Sequence, residues 1–431
     1  MTTASVQLYG TTIGSIAWDD QRQLGSFEYD QNFLRSGIQV APIHMPLQAG
    51  VFSFTDLAKD TFKGLPGLVA DCLPDKFGNL LIDQWLARQG RDAASFNPVE
   101  RLCYLGTRAM GALEFSPTLH PEKPDRPLDV SSLISLANTV LAHRENLKAT
   151  LIEDHEEEAL ADILRVGTSA GGARAKAVVA WNPKTGEIRS GQIPLPHGFQ
   201  AWLLKFDGVD GNADKELADP QGYGRIEYAY HLMARAAGVN MSDCHLLEEN
   251  GRAHFMTRRF DRPDSGDKIH MQTLCAMGHY DFNIAGGYSY EQAFQLARQI
   301  GLHQPDLTEL YRRAVFNILS RNQDDHTKNI SFTMDRSGTW KLAPAYDVTY
   351  AYNPTGDWTS QHQMSLNQKR DHFEMTDLLT AATAADLKPR QAKSLISEIQ
   401  TALAQWPKFA KKAKVTPAYI KQIQGHFRKL V

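Results

Sequence analysis

The chain has 431 residues, 42% hydrophobic and 22% charged, with a formal net charge of −3. It can therefore hold two or three globular domains, and its overall charge does not attract nucleic acid or an anionic membrane. It has no hydrophobic run near the ~20 residues of a membrane helix and no secretory signal at its start, so we expect no membrane partner and a cytoplasmic location. Its four cysteines form no CxxC pair, so we expect reduced thiols and no zinc site.

The first part of the chain predicts a small antiparallel sheet followed by helices. Short alternating runs in SVQLYGTTIGSIAWDDQRQLGSFEYD are broken by glycine and by two aspartates, a pattern typical of hairpins. LLIDQWLARQG has helical character. PEKPDRP, residues 121–127, carries three prolines without a hydrophobic period and predicts a boundary. We therefore expect an α/β domain over residues 1–125.

Residues 126–262 predict a strand-rich unit after an initial helical stretch. GTSAGGARAKAVVAW joins a glycine-rich loop to a hydrophobic strand, and AWLLKFDG is a short buried strand that contains Lys205. RIEYAYHLMARAAGV has the hydrophobic spacing of a helix. HFMTRRFDRPDSG predicts a strand that exits into a turn.

Residues 263–431 predict a mostly helical unit with one hairpin. PDLTELYRRAVFNILS places its hydrophobic side chains on one helix face, and NISFTMDRSGTWKLAPAYDV predicts two strands around a turn at residues 335–338. From Ile399 onward there is no Asp or Glu. This segment is open to two interpretations, a surface for DNA phosphates or a solvated helix face; its cations are Lys408, Lys411, Lys412, Lys414, Lys421, Arg428 and Lys429.

A dense polar cluster lies between that helix and that hairpin. In SRNQDDHTKNISF, Asp324 and Asn329 have the spacing D-x-x-x-x-N, and the hairpin would bring Asp347, at the end of its returning strand, next to Asn329. Phosphoryl transfer uses such a set, with a carboxylate to orient the attacking hydroxyl and oxygen ligands for Mg2+. We predict Asp324 as the base and Asn329 and Asp347 as metal ligands. The alternative is a polar turn whose side chains cap local backbone groups.

Some roles within the cluster stay open. Asp325 competes with Asp324 for the role of base, although the spacing to Asn329 favours Asp324. Lys328 could neutralise phosphate charge and His326 could support the loop, and each could equally be structural.

Features upstream of the cluster fit a nucleotide site. Lys205 stands among large hydrophobic residues of its strand, where a lysine needs a partner or a ligand. Kinases use such a lysine on the ATP phosphates; a lysine that extends from an edge strand into water is the alternative. Glu227 on the following helix could pair with it. GTSAGG, residues 167–172, could let the backbone approach phosphates, but it is neither a Walker A loop nor a G-x-G-x-x-G loop.

Taken in order, these motifs resemble the HipA family of toxin kinases from type II toxin–antitoxin modules, over essentially the whole chain. NQDDHTKNISF is similar to the family's catalytic loop, and YDV at residues 346–348 also matches. TSAGGARAK, WLLKF and RRFDR follow the family order, and LVADCLPDKFGN resembles an LLPD segment. The resemblance implies an α+β, two-lobed protein-kinase-like fold, with a mixed α/β N-terminal lobe, a mostly α-helical C-terminal lobe and an extra N-terminal α/β domain.

The resemblance also implies an ATP- and Mg2+-dependent protein serine/threonine kinase. Members of this family phosphorylate an aminoacyl-tRNA synthetase, which arrests translation and promotes persistence. They are neutralised by HipB, a small helix-turn-helix antitoxin, and the complex binds operator DNA. By this resemblance the catalytic loop includes Asp324, His326 and Lys328, and Lys205 contacts the ATP phosphates.

Further site residues are implied by the same resemblance. Arg258 and Phe260 would lie at the hinge that holds adenine. Ser169, Gly171 and Gly172 would lie in the loop over the phosphates, and Ser169 would be autophosphorylated.

Two other functions remain alternatives. One is a small-molecule kinase of the aminoglycoside-phosphotransferase type, which shares the H-x-D-x-x-x-x-N logic. The other is a pseudokinase that acts as a corepressor with a DNA-binding partner, although the intact set of Lys205, Asp324, Asn329 and Asp347 argues against it. The sequence does not identify the protein substrate or the oligomeric state.

Overall fold

The computed structural model describes residues 1–119, 128–142, 167, 175–191, 195–209 and 222–430. The predicted boundary at residues 125 and 126 lies outside these ranges. So does all of the acidic run EDHEEE, residues 153–158, which the sequence predicts to be the solvated start of a helix. The domain limits 1–125, 126–262 and 263–431 therefore stay predictions. Within the described ranges, no helix combines the length and the hydrophobicity that crossing a bilayer requires.

The N-terminal part contains the predicted antiparallel sheet. Its strands are β1 (Thr2–Leu8), β2 (Thr11–Asp19), β3 (Leu24–Tyr29), β4 (Val51–Phe52) and β5 (Leu113–Ser116). They lie in the order β4-β3-β2-β1-β5, and every neighbouring pair is antiparallel. Alternate residues of β1 are buried, as expected for a sheet with one face on the core.

Four helices of this part lie in the chain between β4 and β5. They are α1 (Lys59–Phe62), α2 (Gly67–Ala70), α3 (Lys76–Arg88) and α4 (Pro98–Leu105). The predicted helix LLIDQWLARQG is the body of α3. Its N-cap is Asp75, whose Oδ1 accepts a hydrogen bond from the amide of Gly78 at 2.6 Å. The aspartate of the LVADCLPD segment therefore fixes the start of this helix.

The middle part contains a second five-stranded antiparallel sheet. Its strands are β6 (Lys176–Trp181), β7 (Ile188–Ser190), β8 (Gln200–Lys205), β9 (Cys244–Glu249) and β10 (Arg252–Arg258), in the order β7-β6-β8-β10-β9. Before it lies α5 (Val130–Ala142), and between β8 and β9 lies α6 (Tyr223–Ala236). Because β8 is the central strand, the interpretation of Lys205 as an edge-strand lysine is wrong.

The C-terminal part is mostly helical, as predicted. Its helices are α7 (Leu274–Gly278), α8 (Tyr290–Gln299), α9 (Gln304–Ser320), α10 (Met375–Ala384), α11 (Pro389–Ala404), α12 (Trp406–Lys412) and α13 (Pro417–His426). The hydrophobic face predicted for α9 is buried along its whole length.

The predicted hairpin is formed by β13 (Ser331–Met334) and β14 (Trp340–Leu342), which pair antiparallel. A third strand, β11 (His270–Thr273), pairs with β13 and was not predicted. Its buried positions include His270 and Gln272, so it lacks the hydrophobic alternation that marks a strand in a sequence. A short parallel pair, β12 (Tyr288–Ser289) with β15 (Met364–Ser365), was also missed.

Two shared hydrophobic cores join the three parts. Side chains of the first sheet and of the C-terminal helices belong to one core, which includes Phe27 and Phe316. In the second core, Phe77 of α3 packs with Trp202 and Leu204 of the second sheet. The N-terminal part is therefore packed against both parts that follow it.

His279 lies where the N-terminal part meets the helical part. Its ring stacks on His44 with centroids 4.1 Å apart, and its Nε2 accepts a hydrogen bond from the amide of Gly67 at 3.2 Å. Burial, together with the neighbouring His44, lowers the pKa of His279 to about 3. The neutral ring is the form that this contact stabilises.

We expect this interface to weaken in acid. Because the pKa of His279 lies below the ordinary 6.5 in the folded state, the unfolded chain binds the proton more readily. The free energy of unfolding should then fall as the pH drops from about 6.5 towards 3, by at most ~1.4 kcal/mol per pH unit. His279→Gln keeps an acceptor for Gly67 but does not titrate, so urea denaturation between about pH 5 and pH 7 should show a flatter pH dependence. The exposed His303→Gln is the control, and slopes that are equal in wild type and His279→Gln would contradict the assignment.

Candidate active site

Lys205 lies at the end of β8, between the second sheet and the C-terminal part. Its Nζ is 2.6 Å from Oε1 of Glu227 on α6 and 2.5 Å from Oδ1 of Asp347. The side chain of Lys205 is 12% exposed and that of Glu227 only 1%. A lysine with so little solvent needs opposite charge nearby. Here two carboxylates from separate elements supply it, so the pairing with Glu227 suggested by the sequence is present.

Asp347 lies beyond the hairpin and not at the end of its returning strand, as was predicted. β14 stops at Leu342, and Pro344, which follows, has no N–H to continue the ladder. Asp347 has φ +55, in the left-handed region that aspartate tolerates better than most residues. Desolvation alone would raise the pKa of Asp347, but Lys205 and Lys176 hold it well below its usual range. Asp347 is therefore an anion at neutral pH.

Asp324 and Asn329 lie in the loop between α9 and β13. The side-chain Nδ2 of Asn329 donates to the backbone oxygen of Asp324 at 2.8 Å, which closes the D-x-x-x-x-N loop. Oδ1 of Asp324 accepts a hydrogen bond from the indole Nε1 of Trp358 at 2.8 Å, and this carboxylate is 29% exposed. The group is therefore oriented and still accessible. Trp358 was not predicted, because a tryptophan in a polar loop carries no signal of a distant partner.

Asp325, the rival of Asp324, is in a different environment. Its side chain is 1% exposed and accepts hydrogen bonds from the Tyr290 hydroxyl, His362 Nδ1 and the Gln363 amide, each at 2.8 Å. Burial would raise the pKa of Asp325, but His362 and the other donors lower it. This geometry supports a structural role for Asp325 and leaves Asp324 as the better candidate for the base.

His326 and Lys328 both contact the ring of Phe282. The ring of His326 lies 5.4 Å from that of Phe282, and Lys328 Nζ lies 4.7 Å from the same ring centroid. His326 Nε2 is also 3.8 Å from Oδ1 of Asp324. The backbone oxygen of Lys328 accepts a hydrogen bond from the Tyr346 hydroxyl at 2.6 Å, which ties the loop to the residue before Asp347.

The two predicted hinge residues differ in their surroundings. The Phe260 ring lies 6.0 Å from that of Tyr346, beside the site. The Arg258 guanidinium instead pairs with Asp264 at 2.6 Å. The backbone N–H of Arg258 donates to the backbone oxygen of Asp243. That amide is thus engaged within the protein and does not face a ligand.

The rest of the RRFDR motif connects to the N-terminal part. Arg259 binds Asp261 through two hydrogen bonds, at 2.9 and 2.6 Å, and Oδ2 of Asp261 accepts from the Gly111 amide at 2.8 Å. Arg262 donates to the backbone oxygen of Gly111 at 2.7 Å. Much of this motif therefore serves the contact between the two parts. The three loop residues Ser169, Gly171 and Gly172 lie outside the described residues.

The residues considered for Mg2+ offer a pair of oxygens. The Asn329 nitrogen is bound to Asp324, which leaves its side-chain oxygen for a cation, and Asp347 keeps Oδ2 beside the oxygen that Lys205 binds. Both residues line the same pocket together with His326. In the described part of the chain, no three His, Cys, Asp or Glu residues are grouped to hold a metal. The donor set fits Mg2+, whose remaining ligands are commonly phosphate oxygens and water.

The two neighbouring carboxylates should respond differently to amidation. Asp325→Asn should lower the free energy of unfolding by ~1–3 kcal/mol, because an amide cannot accept from all three donors as a carboxylate does. Asp324→Asn changes a partly exposed group and should cost less than ~1 kcal/mol. Urea denaturation of both variants measures this difference, and the opposite ranking would show that the structural and accessible roles are exchanged.

Comparison with known proteins places this geometry in context. The sequence matches a model of the HipA N-terminal domain over residues 4–116 and a model of the HipA-like C-terminal domain over residues 168–406. The second match alone covers more than half of the chain.

A curated relative from Sinorhizobium fredii (strain NBRC 101917 / NGR234), named "Putative kinase Y4mE", is 24% identical over 314 residues. The alignment covers 65% of this chain and 65% of that relative, a little less than two thirds of its length.

Two solved structures are similar to the chain. The HipA of Shewanella oneidensis MR-1, in a complex with HipB and its operator DNA, gives a TM-score of 0.65 at 18% identity and covers 98% of this chain and 95% of that one. The Helicobacter pylori proinflammatory kinase CtkA gives a TM-score of 0.33 at 12% identity and covers 53% of this chain and 88% of that one. The likeness to the Shewanella protein confirms the predicted α+β, kinase-like fold with an extra N-terminal unit.

Proposed function

This chain belongs to the HipA family, and we propose that it is an ATP-dependent protein serine/threonine kinase that acts as the toxin of a toxin–antitoxin pair. One observation carries the proposal. Lys205 is held between Glu227 and Asp347, on the side of the sheet that faces the loop of Asp324 and Asn329. This set contains a cation for phosphates, two oxygen ligands for Mg2+ and an accessible carboxylate.

The proposed reaction moves the γ-phosphoryl group of ATP to a hydroxyl of a protein. Asp324 accepts the proton of the attacking hydroxyl while the new O–P bond forms and ADP leaves. The Trp358 indole holds one oxygen of that carboxylate. Lys205 offers positive charge to the phosphates. Asn329 and Asp347 would hold Mg2+, which when bound neutralises phosphate charge.

We propose a protein as the acceptor because the chain matches HipA models over both its N-terminal and its C-terminal parts. An aminoacyl-tRNA synthetase, whose phosphorylation would arrest translation and promote persistence, is the substrate that the family resemblance suggests. A small-molecule kinase would instead transfer phosphate to small alcohols, and a pseudokinase corepressor would bind no ATP in the presence of Mg2+. Phosphate-acceptance assays with proteins and with small alcohols, and calorimetry with ATP and Mg2+, separate these cases.

The Shewanella protein, whose solved structure is a complex of HipA with HipB and operator DNA, supports the proposed partners. These are a HipB-like helix-turn-helix antitoxin and, through the complex, operator DNA. The basic C-terminal segment offers fewer cations to DNA than its sequence suggests. Arg428 pairs with Asp371, and Lys414 pairs with Glu248 at 2.8 Å, whereas Lys411 and Lys412 are exposed.

Two substitutions should separate catalysis from nucleotide binding. Asp324→Asn keeps the size of the side chain but removes the base, so phosphoryl transfer and toxicity should be lost while ATP binding is retained. Asp347→Asn removes a charged metal ligand and should weaken Mg2+-dependent ATP binding by about tenfold or more. Phosphorylation assays and calorimetry on the purified proteins measure both effects. Protein phosphorylation at the wild-type rate in both variants would show that the site is assigned wrongly.

Ser169 is proposed as an autophosphorylation site that silences the kinase. A phosphate there adds about −1.5 to −2 charges, which would repel the phosphates of ATP. Mass spectrometry should find phosphate on Ser169 in wild type but not in Asp324→Asn, with Thr168 as the rival acceptor. The purified phosphoprotein should bind ATP at least about tenfold more weakly than the unmodified protein. Equal affinities would refute the switch even if the modification occurs.

A further inference from the structure

We propose that Asp75, from the N-terminal part, is a positioning residue of the nucleotide site and acts through Lys176 on β6. The inference rests on the proposed ATP-dependent function. It adds to that function a residue from outside the two kinase-like lobes. The LVADCLPD segment, whose Asp75 also caps α3, thereby gains a role in the site.

The second sheet places two lysines side by side. Lys176 on β6 and Lys205 on β8 are directly opposite each other in an antiparallel pair. Opposite residues of such a pair have Cβ atoms about 5 Å apart and point to the same face of the sheet. Like charges in this position repel each other, so the pair requires compensating anions. For Lys205 these are Glu227 and Asp347.

For Lys176 a compensating anion comes from the N-terminal part. Oδ2 of Asp75 lies 3.5 Å from Nζ of Lys176, and the two side chains are 5% and 4% exposed. The other oxygen, Oδ1, caps α3 through the Gly78 amide at 2.6 Å. The carboxylate is thus fixed by the helix that it caps, and Lys176 is held by a carboxylate that cannot easily move.

Lys176 also acts on Asp347. Lys176 stands directly opposite Lys205, whose Nζ lies 2.5 Å from Oδ1 of Asp347, so its charge is close to that carboxylate. Without the charge of Asp75, Lys176 would be drawn more strongly towards Asp347, the carboxylate proposed to bind Mg2+. Asp75 therefore keeps Lys176 from competing with Lys205 and with the metal for Asp347.

A second contact joins the same helix to the glycine-rich segment. A Cβ atom at Gly167 would lie 2.5 Å from Cδ1 of Leu81 and 3.3 Å from Cε1 of Phe77, both on α3. Gly167 and Lys176 flank residues 168–174, which lie outside the described residues. Both flanks of this segment therefore adjoin one helix of the N-terminal part.

A purely structural ion pair would be the alternative, in which Asp75 and Lys176 only attach the N-terminal part to the sheet. Asp75→Asn distinguishes the two roles. Asparagine caps a helix about as well as aspartate, so the variant removes the charge and keeps the cap. Lys176→Met in the same chain then removes the lysine that Asp75 is proposed to restrain. Recovery of nucleotide binding in the double variant would show that Asp75 acts through Lys176. A structural role would not weaken nucleotide binding in an Asp75→Asn chain that circular dichroism shows to be folded.

The test is calorimetric titration of the full chain with a non-hydrolysable ATP analogue and Mg2+. Lys205→Met should weaken binding by about tenfold or more, which tests the proposed function itself. Asp75→Asn should weaken it by about tenfold, and Asp75→Asn/Lys176→Met should return to within about threefold of wild type. The matched control is Asp83→Asn on α3, which breaks the 2.7 Å ion pair between Asp83 and Arg101 of α4 and should leave affinity unchanged.

The inference is overturned if Asp75→Asn binds the analogue like Asp83→Asn, or if the double variant binds as weakly as Asp75→Asn. Lys176→Met alone provides an independent measure, should Asp75→Asn fail to fold. It should stay within about threefold of wild type, and a loss as large as that in Lys205→Met would make Lys176 a phosphate ligand and overturn the role of Asp75. A wild-type chain that binds no analogue would refute the proposed function, and the inference with it. Loss in Lys205→Met with no effect at Asp75 would refute the inference alone.

Discussion

The ion pairs of Lys205, whose side chain is only 12% exposed, determine how the site is assembled. Lys205 would be costly to bury alone, and Glu227 of α6 and Asp347 of the post-hairpin loop stabilise it by reaching it together. These three residues come from the central strand of one sheet, from a helix and from the C-terminal part. The charge balance at Lys205 therefore requires the two parts to be packed correctly before Lys205, the side-chain oxygens of Asn329 and Asp347 and the accessible Asp324 face one another.

The N-terminal part is bound to both sides of this arrangement. Asp71 accepts hydrogen bonds from the amide and hydroxyl of Thr273, at 2.7 and 2.8 Å, at the start of α7, and Asp75 reaches Lys176 on the second sheet. Two carboxylates of the short LVADCLPD segment thus contact the helical part and the strand-rich part. Together with the link between Asp261 and Gly111, they make the N-terminal part an integral support of the cleft.

Local patterns were sufficient to predict much of the fold, since burial on one face produces a period that a sequence displays. The buried face of α9 and the hairpin of β13 and β14 show such a period, and the spacing of Asp324 and Asn329 is a further local pattern. The contacts that orient the site residues do not follow from a local pattern. The contact of Trp358 with Asp324 joins residues 34 positions apart, and that of Asp75 with Lys176 joins residues about a hundred positions apart. In neither case does the sequence around the residue indicate its partner. Strand β11 was missed because it buries polar side chains.

The central claim is that this cleft transfers phosphate from ATP by means of Lys205. The most direct measurement is incubation of the purified chain with γ-labelled ATP and Mg2+, followed by detection of label on protein. Wild type should incorporate label into itself or into an added protein, and Lys205→Met, which removes the cation proposed to meet the phosphates, should incorporate none. Absence of labelled protein with wild type, or equal labelling by wild type and Lys205→Met, would contradict the claim.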